Sequence, residues 1–117
     1  MSHYDTNLDK NSANFVPLTP LTFLMRAKEI YPEYEAVIYE DRKYTWAQVY
    51  KRTIKFASAL NKIGVQKGDT VSFLAFNTPE IFEGHYSVPM SGAVLNTINI
   101  RLDAKTIAYI LEHSDAK

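Results

Sequence analysis

The clearest pattern of apolar and polar positions lies in the second half of the chain. A short apolar run, 71–76, predicts a strand that is covered on both faces, as is typical of parallel sheets. Thr78 and Pro79 then mark the start of a helix, because a capping residue precedes a proline at the first helical position. A second apolar run, 93–98, follows that helix. The order strand, helix, strand predicts a parallel strand pair joined by a crossover helix.

Two residues of the crossover helix predict departures from a regular helix. Pro89 lies in its last turn, where a proline removes one backbone hydrogen bond and clashes with the preceding turn. It therefore predicts a kink or an early end of the helix. Gly84 weakens the middle of the helix by about 1 kcal/mol relative to alanine. We interpret Gly84 as the site of a close contact between the helix and the sheet, in preference to a ligand contact.

The first half of the chain predicts a surface helix followed by a hairpin. The helix begins at Thr19 and should stop at Tyr31, because the proline after Tyr31 disfavours helical geometry in the residue before it. Residues 36–39 and 43–45 are rich in β-favouring residues and flank a polar turn, which predicts an antiparallel hairpin. An isolated hairpin is only marginally stable, so this one must pack against a neighbouring element.

The helix after the hairpin has the strongest local signals. Thr45 and Gln48 match a capping box, in which each side chain satisfies an unpaired backbone donor of the other, and Gly64 marks the helix end. Apolar residues recur at steps of three and four and predict the packed side of this helix: Trp46, Val49, Tyr50, Thr53, Phe56, Ala57, Leu60 and Ile63. Four cations on the other side are interpreted as a solvated face in preference to a binding patch: Lys51, Arg52, Lys55 and Lys62.

A last helix is predicted from the cap Asp103 to about His113. A helix in this position should lead to a third parallel strand, and the sequence predicts none. Two parallel strands leave an apolar sheet edge open, which favours association with another chain or copy. The fold class is therefore α/β, an incomplete portion of a larger parallel sheet with flanking helices and a small hairpin. Residues 1–16 are polar without periodicity and predict a mobile N-terminal arm.

Composition narrows the class of protein. The 117 residues are 46% apolar and 22% charged, which is typical of one globular domain. Thirteen basic and thirteen acidic residues balance, and no basic cluster occurs, so a nucleic-acid partner is not expected. The absence of cysteine excludes disulfides, thiolate metal sites and cysteine nucleophiles within this sequence. Neither a secretory signal nor a long apolar run occurs, so we predict no membrane span and a cytoplasmic location.

Residues that could carry chemistry are present but not in catalytic patterns. The four glycines are scattered and do not form a phosphate-binding loop, and His3, His85 and His113 lack metal-ligand spacing. His85 is interpreted as a packed or hydrogen-bonded histidine in preference to a catalytic base. Three serines lack the G-x-S-x-G frame of a hydrolase nucleophile: Ser72, Ser87 and Ser91.

Glu80 and Glu83 are the only pair that suggests acid–base chemistry, since they lie three residues apart on one helix. Acidic residues are also favoured at helix N-termini by the helix dipole alone, which we take as the simpler explanation. The residues by themselves therefore assign no catalytic, cofactor-binding or metal-binding position.

The order of the motifs resembles the beginning of the AMP-dependent acyl-CoA synthetases, which belong to the adenylate-forming superfamily. Residues 43–50, KYTWAQVY, match the first core motif of that family, and residues 88–99, VPMSGAVLNTIN, match the second. The resemblance runs from about Leu18 to Lys117, and it makes 17–117 the N-terminal part of an AMP-binding domain, truncated before the phosphate-binding loop. Residues 96–102 are most similar to the subgroup that acts on short, medium-chain or aromatic acids.

The resemblance implies an ATP-dependent acid–CoA ligase of fatty acid metabolism. Such an enzyme joins a carboxylate to ATP, releases pyrophosphate from the resulting acyl-adenylate, and transfers the acyl group to coenzyme A. ATP, Mg²⁺ and coenzyme A are expected for the full-length protein. Both matched motifs are structural in the family, so this chain alone is expected to be inactive, to bind no cofactor and to contain no catalytic residue. Two alternatives remain: an adenylating enzyme with another acceptor, or a non-catalytic interaction module that associates with another copy or another protein through its open sheet edge.

Overall fold

The structure, a computed structural model, describes residues 6, 7 and 9–117. In this part of the chain, eight elements follow one another: α1 (Pro20–Ile30), β1 (Glu35–Tyr39), β2 (Arg42–Thr45), α2 (Trp46–Lys62), β3 (Thr70–Leu74), α3 (Pro79–Met90), β4 (Val94–Ile98) and α4 (Ala104–His113). β1 and β2 form an antiparallel hairpin, and β3 and β4 form a parallel pair. The predicted α/β class and hairpin are confirmed. None of the helices in this part of the chain combines the length and the apolar character that a membrane span requires.

The predicted N-terminal arm is described only in part. Residues 1–5 and Leu8 lie outside the described residues, so His3 does as well. The described portion before α1 contains a local turn, in which the Phe15 amide donates to the Asn11 carbonyl at 3.0 Å. The mobility of the arm stays a prediction.

Three helices begin where their capping residues predicted. The Thr45 hydroxyl accepts from the Gln48 amide at 3.3 Å, and the Gln48 side chain accepts from the Thr45 amide at 2.9 Å. Thr19 forms an equivalent reciprocal box with Thr22 at the start of α1. Asp103 accepts from the amides at the start of α4. Such caps satisfy backbone donors that have no partner inside the helix, so local sequence suffices to fix these starts.

Helix α3 departs from two of the predictions. Thr78 occupies its N-cap position, but its side chain forms no capping hydrogen bond. The helix continues through Pro89 and ends at Met90, so of the two predicted alternatives the early end is wrong and the kink stays a prediction. A proline in the last turn removes only one intrahelical bond. The neighbouring Val88 is completely buried, and its packing holds this turn in helical form.

The core lies between the β3–β4 pair and the two helices α2 and α3. Its buried members are Leu60, Val71, Val88 and Ala93, and four partly buried residues pack around them: Phe56, Val65, Phe73 and Leu95. Gly84 of α3 lies directly over Phe73, since a Cβ atom at Gly84 would come within 3.0 Å of the Phe73 ring. The predicted close contact between helix and sheet is therefore confirmed.

The parallel pair is shorter than the apolar runs predicted. Its register matches Thr70 with Val94 and Leu74 with Ile98, so both strands end at the same level. The run predicted as a strand extended to Phe76, which lies outside β3 and is 69% exposed. Leu74 pairs with Ile98, the last residue of β4. Residues 75 and 76 therefore have no β4 residue with which to form backbone hydrogen bonds.

A third strand contact begins at the end of the chain, and this corrects the expectation of a two-stranded sheet. Thr70 and Ala116 form a parallel bridge, and the Lys117 amide donates to the Thr70 carbonyl at 3.0 Å. The Lys117 ammonium also pairs with Asp69 at 3.0 Å. The contact lies beside β3, on the side away from β4, and β3 therefore lies between two neighbours at Thr70.

Helix α4 ends on the sheet face opposite α2 and α3. The Asn96 side-chain amide donates to the Ser72 hydroxyl at 2.9 Å and to the Ser114 hydroxyl at 3.2 Å, at the C-terminal end of α4. Residues of a strand alternate between the two faces, and Phe73 and Leu95 already face α2 and α3. Compared with the crossover through α3, the connection through α4 runs in the opposite direction across the sheet and passes over the opposite face. The two reversals cancel, so both crossovers have the same hand.

Candidate functional site

A cleft lies at the carboxyl ends of β3 and β4, where it is bordered by β1 and α3. Ligands of open α/β sheets usually bind outside the carboxyl ends of the strands. We call this region the carboxyl-end cleft and define it as two adjoining grooves of about 620 Å³ and 760 Å³. The two grooves share Tyr39, Asn77, Ile81 and His85.

The first groove runs between the hairpin and α3 and is largely apolar. It is lined by Ala36, Val37, Ile38, Tyr39, Asn77, Thr78, Pro79, Ile81, Phe82, His85 and Tyr86. Phe82 and Tyr86 pack edge to face, with ring centroids 5.3 Å apart, and form a rigid wall on α3. This groove fits an apolar group better than a charged one.

The second groove lies across the ends of β3 and β4 and is more polar. It is lined by Tyr39, Ala75, Phe76, Asn77, Ile81, His85, Thr97, Ile98, Asn99, Ile100 and Arg101. The Asn99 side chain accepts from the Arg101 amide at 2.9 Å, which fixes the loop after β4. The Arg101 guanidinium and the two asparagine amides can donate to an anion or a carbonyl.

His85 is exposed at the junction of the two grooves. Its Nδ1 donates to the Ile81 carbonyl at 2.7 Å, one turn earlier in α3, which confirms the interpretation of a hydrogen-bonded histidine. Within the described chain, no hydrogen bond joins two side chains of the cleft. The cleft therefore offers surfaces for binding but no proton relay.

The three candidate serines have structural positions. Ser72 accepts from Asn96 between β3 and β4, and Ser91 donates to the Val88 carbonyl at 2.7 Å at the end of α3. Ser87 is completely buried. None of the three has a histidine or carboxylate hydrogen-bond partner in the described residues, so the geometry supports no serine nucleophile.

The carboxylates of Glu80 and Glu83 are ion-paired to two arginines: Arg42 pairs with Glu80, and Arg52 pairs with Glu83 and lies 3.9 Å from Glu80. Arg42 of β2 donates to both Glu80 oxygens, at 2.6 and 3.5 Å. Arg52 of α2 donates through Nε to Glu83, whose residue is only 4% exposed. We call these four residues the ion-pair cluster. It joins the hairpin, α2 and α3, so the two acids have arginine partners in addition to the helix dipole.

Arg52 corrects the interpretation of a wholly solvated cationic face on α2. Lys51, Lys55 and Lys62 are exposed as predicted, but Arg52 is half-buried and stacks its guanidinium on the Tyr44 ring at 4.7 Å. It lies at the border of the apolar stripe, three residues after Val49. That border position is the only local signal in the sequence that could have predicted that Arg52, unlike the three lysines, is half-buried.

Glu80 carries a testable pH dependence. Arg42 donates to its carboxylate and lowers the pKa of Glu80 from 4.5 to about 2. Because the folded pKa lies below the unfolded value, the pair stabilises the fold above about pH 4.5 and loses its effect as pH falls towards about 2. Both side chains are nearly half-exposed, so screening by solvent keeps the stabilisation small.

We therefore expect Glu80→Gln to reduce the fall in the free energy of unfolding between about pH 4.5 and pH 2. Urea denaturation at a series of pH values measures this fall. Glu112→Gln provides a matched control, because Glu112 is exposed and forms no ion pair within the described chain. Equal pH profiles for Glu80→Gln and the unmodified chain would rule out this role of the Arg42 pair.

A family model described as AMP-binding enzyme matches residues 24–117. The chain belongs to this family. Among related proteins, the peroxisomal trans-cinnamate:CoA ligase of Petunia hybrida is 54% identical over 110 residues, which are 94% of this chain and 19% of that protein. The peroxisomal butyrate–CoA ligase of Arabidopsis thaliana is 52% identical over 111 residues, which are 95% of this chain and 19% of that protein. The chain thus spans about a fifth of the length of these curated relatives.

Solved structures agree with the family at the level of the fold. A putative long-chain fatty-acid CoA ligase from Rhodopseudomonas palustris matches with a TM-score of 0.80 and 29% identity, over 85% of this chain and 25% of that chain. O-succinylbenzoate coenzyme A synthetase from Bacillus subtilis, in complex with ATP and magnesium ion, matches with a TM-score of 0.76 and 29% identity, over 80% of this chain and 26% of that chain. The resemblance stated from the two sequence motifs is therefore confirmed.

The described residues of this AMP-binding family member do not fit a site for ATP and magnesium. A phosphate-binding loop presents several consecutive backbone amides to the anion. The glycines with positive φ, Gly64, Gly68 and Gly92, lie in separate turns. No group of three or more metal-binding side chains occurs in the described part of the chain. No step of nucleotide chemistry is therefore assigned to these residues.

Proposed function

We propose that this chain is the N-terminal, non-catalytic section of an ATP-dependent acid–CoA ligase. The complete enzyme converts a carboxylate, ATP and coenzyme A to acyl-CoA, AMP and pyrophosphate through an acyl-adenylate. The observation that carries the proposal is identity of more than 50% to named CoA ligases along 94–95% of the chain. The matches cover nearly the whole chain, which supports an equivalent structural position for the segment in the complete ligases.

The proposed substrate class is short-chain or aromatic carboxylic acids. The names of the related proteins from Petunia and Arabidopsis, with trans-cinnamate and butyrate as acids, support this class. Both names also specify coenzyme A, which supports it over another acceptor. The motif at residues 96–102 points to the same subgroup.

Within that enzyme, the chain has a structural role. It supplies the β3–β4 pair, covered by α2 and α3, and the ion-pair cluster that fixes the hairpin against both helices. We infer that the chain alone binds neither ATP, Mg²⁺ nor coenzyme A with useful affinity, because its positive-φ glycines lie in separate turns and its described residues contain no cluster of metal-binding side chains.

The location within the cell is a further proposal. The sequence predicts the cytoplasm, whereas two of the related ligases are named as peroxisomal. Fluorescence imaging of a full-length protein that contains this sequence distinguishes the two compartments. The fluorescent tag is placed at one end in one version and at the other end in a second version, so that each end is free once.

A chimera tests the proposed function. The matching first fifth of the Petunia trans-cinnamate:CoA ligase is replaced by this chain, and acid-dependent pyrophosphate release and CoA thioester formation are measured. We expect the chimera to be active with trans-cinnamate, at a rate within about tenfold of the parent, because the replaced segment contributes no reacting group. The 117-residue chain alone is expected to release no pyrophosphate.

Two outcomes would contradict the proposal. Acid-dependent pyrophosphate release by the isolated chain would disprove its non-catalytic role. A chimera that folds, as judged by a cooperative thermal transition, yet lacks activity would show that the segment is not equivalent to the ligase N-terminus. The parent ligase, expressed and purified in the same way, is the control for both measurements.

A further inference from the structure

The β1–β2 hairpin is attached to its neighbours at both of its ends. At the open end of the hairpin, the amides of Trp46 and Ala47 donate to backbone carbonyls of the segment before β1, at 3.1 and 3.0 Å. At the turn end, where Tyr39 pairs with Arg42, the Arg42 guanidinium donates to the carboxylate of Glu80 in α3. We call residues 39–42 the hairpin tip.

The hairpin tip depends on one ion pair for its position beside α3. Among the described residues, no backbone hydrogen bond joins the hairpin to α3, and the bonds from Arg42 to Glu80 are the only side-chain hydrogen bonds between them. The first groove of the carboxyl-end cleft lies between the two elements, with residues of β1 along one wall and residues of α3 along the other. Because these walls are separated by a groove, the ion pair sets the distance between them.

The rest of the hairpin is held by other contacts, which do not reach α3. The Tyr44 ring lies against the Arg52 guanidinium of α2 at 4.7 Å, and the open end is fixed by the two backbone hydrogen bonds. The strand register shifts between Glu35 and Val37, and such irregularities interrupt the ladder and bend a strand. Movement of the tip therefore leaves the attachment to α2 intact.

Both members of the ion pair keep a partner when the pair opens. The Arg42 guanidinium lies 5.2 Å from the centre of the Tyr39 ring, within the tip itself. The Glu80 carboxylate lies 3.9 Å from the Arg52 guanidinium of α2. The Arg42 and Glu80 side chains are also 41% and 48% exposed, so water and salt screen their attraction. Opening of the pair therefore leaves neither charge buried or isolated.

We propose that the Arg42–Glu80 pair is a latch that holds the hairpin tip beside α3 and sets the width of the first groove. When the pair opens, the tip moves away from α3 and the groove widens at that end. The latch therefore controls the size of the apolar group that this groove admits. The proposal concerns contacts within this chain and does not depend on the proposed function.

Spin-label distances test the movement of the tip. The chain has no cysteine, so Asp41→Cys in the tip and Pro89→Cys in α3 provide two specific labelling sites, both at exposed positions. In this labelled chain, we expect Arg42→Met to shift the distance distribution to longer values and to broaden it at least about 1.5-fold.

Lys43→Met is the matched control for the latch variant. Lys43 also forms an ion pair, at 2.9 Å, but its partner Glu35 belongs to the same hairpin. We expect Lys43→Met to leave the distance distribution unchanged. Arg42→Lys keeps the charge and should give a distribution closer to that of the unmodified latch than Arg42→Met does. Equal distributions for Arg42→Met and Lys43→Met would overturn the proposal.

A reference pair separates movement of the tip from a general loosening of the fold. Labels at Ser58→Cys in α2 and Pro89→Cys in α3 report the distance between the two helices, and both positions are exposed. Arg42→Met should leave this distance unchanged, because Arg52 and Glu83 still join α2 to α3. Equal broadening in the reference pair would contradict a movement confined to the tip.

Salt provides a second readout that needs no change in the latch. Raising the sodium chloride concentration should broaden the distance distribution between the tip and α3 in the chain with Arg42, because salt screens the exposed pair. The same change should have no effect in the Arg42→Met variant. A distribution that does not respond to salt in the chain with Arg42 would overturn the latch.

Discussion

Arg52→Met is expected to lower the free energy of unfolding of the chain by about 3 kcal/mol. Glu83 is almost completely buried, and Arg52 is the ion-pair partner that compensates its charge. Methionine keeps most of the apolar stem but removes the cation, so the carboxylate is left buried without a counter-charge. Urea denaturation, with the slope compared between variants, measures the loss.

Two controls separate this charge effect from a general loss of packing. Lys51→Met changes an exposed cation on the same helix and should alter stability by less than about 0.5 kcal/mol. The double variant Arg52→Met/Glu83→Leu removes both charges and should recover most of the loss, because apolar replacement of a buried ion pair is often close to neutral. A loss below about 1 kcal/mol for Arg52→Met would mean that water solvates Glu83 in the folded chain.

Gly84→Leu is expected to lower the free energy of unfolding by about 3 kcal/mol. A Cβ atom at this position would lie 3.0 and 3.1 Å from two atoms of the Phe73 ring, and a leucine adds three further carbons. The ring cannot turn away easily, since it packs edge to face against Phe56 with centroids 5.8 Å apart. The insertion must therefore move α3 away from β3. Urea denaturation of the variant measures the cost.

Ser58→Leu is the matched control for Gly84→Leu, because it places the same side chain at an exposed position of α2 and should be nearly neutral. The double variant Gly84→Leu/Phe73→Ala should cost less than the sum of its single variants by at least about 1 kcal/mol, since the smaller side chain makes room. Additive costs would show that Phe73 is not the residue that excludes a side chain at position 84.

Local sequence predicted the helix ends of this fold well, because capping residues and glycines with positive φ have well-defined positions at helix termini. Thr19, Thr45 and Asp103 cap the helices that they were expected to start. Gly64 has a positive φ of 98° just after α2, where a helix end was predicted. Ile63 is an exception, because it follows the apolar spacing of α2 but lies at the helix end and is 78% exposed.

The candidate site was less accessible to sequence reasoning. The carboxyl-end cleft combines residues from β1, α3 and the loop after β4, which are far apart in the sequence. No motif joins Tyr39, His85 and Arg101, so their neighbourhood could not be predicted. The family assignment succeeded for another reason, because two motifs of 8 and 12 residues occur in the expected order.

By itself, the sequence determined the helix starts, the parallel strand pair, the close contact at Gly84 and membership of the AMP-binding enzyme family. Each of these depends on capping, on apolar periodicity or on a contiguous motif, all of which are local in the chain. Only the tertiary structure decided that Arg52 neutralises the buried Glu83, and that Ala116 and Lys117 return to β3 instead of extending the sheet beside β4. These contacts join residues 31 and 46 positions apart in the sequence. They form on folding because a buried carboxylate needs a counter-charge and buried backbone groups need hydrogen-bond partners.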